Sequence, residues 1–358
     1  HFIDELFDLF NENPRDHFNY KKKDISCKYF WDDGTKLSAY SDKIKFTKEI
    51  ENILGVKQSI VSAYLLKAKK KYELTKRIFL EQSLHKLKTY FSKDLLNGVF
   101  NIFSFQINKT LNQVNASELK EPHLVQLFNR FATYNGSSPY KTPGMMTLVQ
   151  HLEQEYGTFV SDKGMQNITN SLYNLALRQG VDFKFNNYVS EILVSNKIAT
   201  GIKVGDKTYE SDIVISNMDV VPTYRNLLKN HYQPEKRLNK ERSSSALIFY
   251  WGVKKEFKNL DLHNIFFSKD YKNEFQTIFE NNTISVDPTI YINITSKDVK
   301  GDAPINCENW FVMINSPNDS GQDWDNMIDE VKSNILKKIN KLLNIELEDY
   351  IEYEKVYT

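Results

Sequence analysis

Cysteine is nearly absent from the 358-residue chain, which holds only Cys27 and Cys307. Two thiols exclude a disulfide framework and a cysteine-based zinc site, and they point to a reducing, cytoplasmic compartment. Charge of one sign is also missing. Lys+Arg number 47 against 46 Asp+Glu, a formal net charge of +1, so nothing calls for nucleic acid or an acidic partner. No stretch approaches the ~18 consecutive apolar residues of a membrane-spanning helix. The seven histidines are scattered without metal-ligand spacing, so no metal site is expected. H-E-x-x-H, a P-loop, G-x-S-x-G and the kinase motifs are all absent. Apolar material is plentiful: 41% of residues are hydrophobic and 13% aromatic, against 26% charged. That composition fits a soluble globular protein of one large or two ordinary domains, with a large core or an apolar binding channel.

Along the chain, the opening HFIDELFDLF reads as an amphipathic helix with Phe2, Leu6, Leu9 and Phe10 on one face. Asp33-Gly34, between SCKYFW and TKLSAY, is a strong hairpin signal over 26–40. Helical spacing follows from Asp42 to about Leu119, with a break at Gly55 and a Lys67, Lys69, Lys70, Lys71 run expected on a solvated face. The apolar segment 94–114 carries Leu96, Val99, Phe100 and Phe103. It suits either a membrane-interface helix or a buried core helix.

The pattern then changes. A helix from Gly164 to Gly180 precedes strand-like VDFKF (181–185), YVSEILVS and ATGIKV, then a nearly continuous apolar strand, SDIVISN (211–217). This order resembles half of a dinucleotide-type layer. ALIFYWGV, TIYINIT and NWFVMIN lack crossover helices between them and argue an antiparallel sheet. Residues 324–343 form the clearest amphipathic helix. Both ends of the chain read as cuts through a longer protein. One loop stands out chemically. FNRFATYNGSSPYKTPGMM (128–146) gathers Arg130, Tyr134 and Asn135 among Gly and Pro, as a ligand-facing loop would.

That loop, with LEQEYGTF, GVDFKFNNYVSEILV, SDIVISNMDVVPTYRNLL and SSSALIFYWGV, resembles the carotenoid desaturases of the phytoene-desaturase type, a branch of the flavin-containing amine-oxidase-like superfamily. Within that family, FNRFATYNGSSPY and ERSSSALIFYWG look most similar to the 1-hydroxycarotenoid 3,4-desaturases, with phytoene desaturases as the near alternative. The N-terminal G-x-G-x-x-G and the C-terminal glycine-rich flavin segment of such proteins do not occur in this sequence.

The resemblance implies a mixed α/β (α+β) fold: an incomplete FAD-binding Rossmann-like layer over 159–219, and a substrate domain of antiparallel sheet and helices over 1–158 and 220–343. Residues 344–358 would begin a return to the FAD domain. It further implies FAD as cofactor, a carotenoid substrate and peripheral membrane contact through Leu96, Val99, Phe100 and Phe103. Gly164, Met165, Val189, Ser216, Asn217, Met218 and Asp219 match cofactor-binding positions. Arg130, Tyr134 and Asn135 would face the flavin or the reacting end of the substrate. Trp251 is expected in the core. A non-catalytic module that carries an apolar ligand without flavin is the alternative from another class.

Overall fold

The structure, a computed structural model, describes residues 2–79, 81, 83, 86 and 101–357. Helix α1 (Phe2–Asp8) leads into strands β1 (Tyr20–Lys22), β2 (Ile25–Phe30) and β3 (Lys36–Tyr40). Helices α2 (Lys43–Leu54), α3 (Gln58–Phe79), α4 (Leu111–Leu119) and α5 (Pro122–Asn129) follow. Short helical turns connect these to β4 (Phe159–Ser161), α6 (Gln166–Arg178), β5 (Val189–Ser195), β6 (Ile198–Val204) and β7 (Lys207–Glu210). The last third contains β8 (Ser245–Val253), β9 (His263–Phe266), α7 (Tyr271–Phe279), β10 (Ile290–Asn293), β11 (Glu308–Ser316), α8 (Trp324–Leu343) and β12 (Ile351–Tyr357).

The chain divides into two compact units, His1–Ser171 with Ser243–Thr358, and Leu172–Arg242. The first is organised by a seven-stranded sheet of order β12-β8-β11-β10-β9-β2-β3. The predicted hairpin forms its β2–β3 edge, antiparallel around Gly34 at φ +90°, where a side chain would be strained. The three predicted strands pair antiparallel as expected. β2 and β9 run parallel, from Lys28 beside Asn264 to Phe30 beside Phe266.

Alternation along the strands gives the sheet two different faces. On one, Phe30, Phe249, Trp251, Phe266, Ile290, Ile292, Trp310, Val312 and Ile314 pack against Val331, Ile335, Leu336 and Ile339 of α8. Each such side chain, fully buried, contributes about 1.5–3 kcal/mol, so α8 fixes the sheet from behind. Trp251 lies in this core and donates its indole N–H to Glu354 (2.7 Å). On the other face Cys27, Tyr29 and Ile265 meet the helical layer of α2, α3, α5 and α7.

The second unit is a β5-β6-β7 antiparallel meander with short helical turns. Two expectations are corrected here. Residues 181–185 form no strand, and neither do 211–217, where the Ser211 amide bonds to the Thr200 carbonyl but Ile213 is 75% and Ile215 88% exposed. An apolar run becomes a buried strand only where neighbours offer it a ladder. β7 ends at Glu210, and among the described residues no strand lies beside 211–217.

The first compact unit extends through Ser171, and β12 is the sheet's edge strand beside β8. Lys71 departs from the predicted solvated face. It is buried and donates to Gln106 (2.6 Å) and Thr147 (2.8 Å), and burial lowers its pKa to about 8. Leu96, Val99 and Phe100 lie outside the described residues, and Phe103 falls in the short helix Ile102–Phe105. No described helix is long and apolar enough to cross a membrane.

Candidate active site

The helical face of the large sheet encloses a cavity of about 340 Å³. Its floor is a set of alternate residues on three neighbouring strands. Ile265, Tyr291 and Met313 share one register row; His263 and Asn293 share the row to one side. Thr289 and Asn315 continue the ladder on the other side, past the Ile290–Ile314 pair. At ~3.3 Å per residue these rows span about 13 Å. Tyr271 of α7, Cys27 of β2, and Arg130, Thr133, Tyr134 and Glu153 complete most of the lining.

Arg130 opens a 3-10 turn, Arg130–Asn135, directly after α5. It is only 7% exposed. Its Nη2 donates to both carboxylate oxygens of Glu153 (2.9 and 2.8 Å), its Nε to the Tyr29 hydroxyl (2.8 Å), and its Nη1 reaches the Tyr134 hydroxyl (3.4 Å). Gly136 ends the turn at φ +57°, with Ser243 packed so closely that an added Cβ would lie 2.6 Å from the Ser243 Cβ. Arg130 and Glu153 therefore enter the lining as a neutral pair.

The other ionisable groups are uncharged at neutral pH. Burial pushes the Cys27 thiol up to about 12, and burial lowers His263 to about 4, which keeps the imidazole neutral. Burial also holds the Tyr29 and Tyr271 phenols well above their ordinary range. His263 is oriented by its neighbours. Its Nδ1 lies 2.7 Å from the Tyr291 hydroxyl and 3.2 Å from the Asn293 amide nitrogen, which itself donates to the Leu262 carbonyl (3.0 Å). The result is a half-open chamber with apolar and aromatic walls and no unbalanced charge, suited to an uncharged, largely apolar molecule.

The structure brings Arg130 and Tyr134 to this cavity but leaves Asn135 exposed and outside its lining. Gly164 and Met165 precede α6, and Met165 is exposed. In the second unit, Val189 begins β5 opposite Val204. Ser216, Asn217, Met218 and Asp219 are exposed; Ser216 Oγ lies 3.0 Å from Thr223 Oγ1, and Asp219 accepts from the Val221 amide. Sequence reasoning missed Glu153, His263, Tyr291 and Met313. Glu153 was visible as an acid in LEQEYGTF, but its pairing with Arg130 is non-local. No short pattern marks His263, because its neighbours Tyr291 and Asn293 arrive from another strand.

The profile of flavin containing amine oxidoreductases matches residues 4–257. The chain belongs to this family. It is 52% identical to a 1-hydroxycarotenoid 3,4-desaturase of Flavobacterium sp. (strain P99-3), across 100% of this chain and 73% of that protein. It is 28% identical to a 4,4'-diaponeurosporene oxygenase of Staphylococcus aureus (strain bovine RF122 / ET3-1), across 99% of this chain and 72% of the relative. Cyclohexylamine oxidase from Brevibacterium oxydans IH-35A shares the fold, with a TM-score of 0.53 at 10% identity, over 100% of this chain and 71% of that one. The protein is thus a flavin-dependent oxidoreductase of mixed α/β fold.

The family's flavin needs a flat slot for its ring and donors for its phosphate portion. The apolar, aromatic lining of Tyr271, Ile265, Tyr291 and Met313 is compatible with the first need, as it is with an extended polyene. Gly164 does not meet the second. A Cβ placed there would face the Asp302 carboxylate at 3.8 Å, an acceptor that repels phosphate. The fit among the described residues is to the ring end.

Proposed function

We propose that this oxidoreductase desaturates a C40 carotenoid, a 1-hydroxycarotenoid at its 3,4 bond, with FAD as the flavin. The observation that carries this reading is the 52% identity over the whole chain to a 1-hydroxycarotenoid 3,4-desaturase. The uncharged, aromatic cavity supports it.

When bound, the flavin supplies a two-electron acceptor, which no amino-acid side chain provides. This chain's residues supply the surroundings. The successive rows His263–Asn293, Ile265–Tyr291–Met313 and Thr289–Asn315 form a floor along the strands, which would hold a polyene extended and exclude water. Tyr271 and Tyr291 offer aromatic faces, which favour developing positive charge on a polyene losing hydride. The Arg130–Glu153 pair adds no net charge to oppose it. Arg130 and Tyr134 are our assignments for groups at the reacting end. Met165, Val189 and the Ser216–Asp219 segment remain proposed as FAD-binding positions, and Gly164, beside the Asp302 carboxylate, is withdrawn from that set. Because so apolar a substrate resides in lipid, we assign the enzyme peripheral membrane contact on the cytoplasmic side, with Leu96, Val99, Phe100 and Phe103 as the contact residues.

The test is to incubate the flavin-loaded enzyme with an acyclic 1-hydroxycarotenoid in liposomes and follow the absorption spectrum. A red shift with loss of two hydrogens by mass supports the reading. A flavin-loaded enzyme that leaves both hydroxylated and plain acyclic carotenes unchanged, with an electron acceptor present, refutes it.

A further inference from the structure

The cavity floor is apolar along its middle row and polar at the row where His263 stands. The hydrogen-bond pattern fixes the imidazole tautomer there. The Asn293 nitrogen is identified by its bond to the Leu262 carbonyl, so it also donates to His263 Nδ1. Nδ1 is therefore an acceptor, and in a neutral ring the remaining hydrogen belongs to Nε2. Among the described residues that Nε2–H has no partner, and it is not one of their sealed, unpartnered atoms. Thr133 donates to the Arg130 carbonyl, Thr289 to Glu274, and Ser26 bonds Ser41. The Asn315 amide lies at the far end of the floor, two rows beyond His263 along the strands. At its own end of the floor His263 is thus a donor held in place by Tyr291 and Asn293.

We propose that His263 is the specificity-determining residue that donates from Nε2 to the hydroxyl oxygen of the substrate, with Tyr291 and Asn293 as its positioning residues. This rests on the reading of the site as a hydroxycarotenoid desaturase. A substrate lacking the hydroxyl would strip water from Nε2–H and return no bond, whereas a hydroxylated one replaces that water. The penalty for an unpaired buried donor corresponds to about tenfold to a hundredfold in selectivity. The 3,4 bond begins only three bonds from that hydroxyl oxygen, so it falls well within the about 13 Å of floor leading away from His263.

The experiment compares kcat/KM for a 1-hydroxylated acyclic carotenoid and its plain counterpart in liposomes, using the flavin-loaded wild type, His263→Phe, His263→Gln and Tyr291→Phe. Wild type should prefer the hydroxylated substrate. His263→Phe should reduce that preference at least tenfold, mainly through KM. His263→Gln, which retains an N–H donor, should keep more of it than His263→Phe. Tyr291→Phe, which loosens the imidazole, should fall between wild type and His263→Phe. An unchanged ratio in His263→Phe overturns the assignment. If that variant does not fold, His263→Leu replaces it, and an unchanged ratio in both His263→Leu and Tyr291→Phe overturns it. Failure of the functional reading looks different, since the wild type itself would then turn over neither substrate.

Discussion

Glu153→Gln keeps the shape of a buried side chain and removes only its charge. In the native chain Glu153 accepts two bonds from the Arg130 guanidinium, at 2.9 and 2.8 Å, in a site where Arg130 is almost fully enclosed. Removing the carboxylate leaves a cation whose partners, the Tyr29 and Tyr134 hydroxyls and one amide oxygen, carry no opposite charge. An uncompensated buried charge of this kind costs about 3–5 kcal/mol. Arg130→Met should cost a similar amount, because it strands Glu153. The double variant Arg130→Met/Glu153→Gln removes both charges and leaves only neutral polar groups, the Tyr29 hydroxyl among them, short of partners, a loss of about 1–3 kcal/mol. The two single losses should therefore exceed the double loss by at least ~3 kcal/mol, far above the scatter for independent sites. Urea unfolding of the four proteins at pH 7, followed by far-UV circular dichroism, measures each quantity. Single losses below about 1 kcal/mol, or a double loss equal to the sum of the singles, would refute the claim that these residues form a buried neutral pair.

Two further outcomes follow from other contacts. His263 titrates near 4 when folded and near 6.5 when unfolded, because burial opposes its charge. A depressed histidine stabilises the fold fully above the unfolded value and loses that contribution as pH falls toward 4, about 2 kcal/mol of it by pH 5. His263→Gln should therefore lose less stability than wild type between pH 7 and pH 5 in urea titrations, and an equal loss would show that another group is responsible. At Gly136, φ is +57° and a Cβ would meet that of Ser243 at 2.6 Å, so Gly136→Ala should destabilise by about 1–3 kcal/mol. Ser243→Gly in the same background should recover part of that loss and Ser243→Ala should not, with thermal midpoints as the readout.

What the sequence disclosed was mostly local. The Asp33-Gly34 turn and the stripe of helix 324–343 need only neighbouring residues, and both appear where the spacing put them. Residues 211–217 show the opposite case, since an apolar run carries no information about whether a partner strand stands beside it. β9 is four residues long, too short to signal itself, yet it supplies His263 and Ile265 to the cavity. Arg130 and Tyr134 were legible locally, as polar groups in a loop rich in Gly and Pro, and their proposed role came through resemblance. Their partner Glu153 and the row Ile265, Tyr291, Met313 exist as a site only after non-local strands align.

The cavity floor and the core beneath α8 are successive residues of the same strands, Tyr291 beside Ile290 and Ile292, Met313 beside Val312 and Ile314. A slip of one position would invert them, sending isoleucine into the chamber and tyrosine into the hydrophobic packing. The backbone under the chamber is consequently locked by its own reverse side. Substrate preference can then drift by exchanging single side chains at alternate positions, while the frame that presents them stays still.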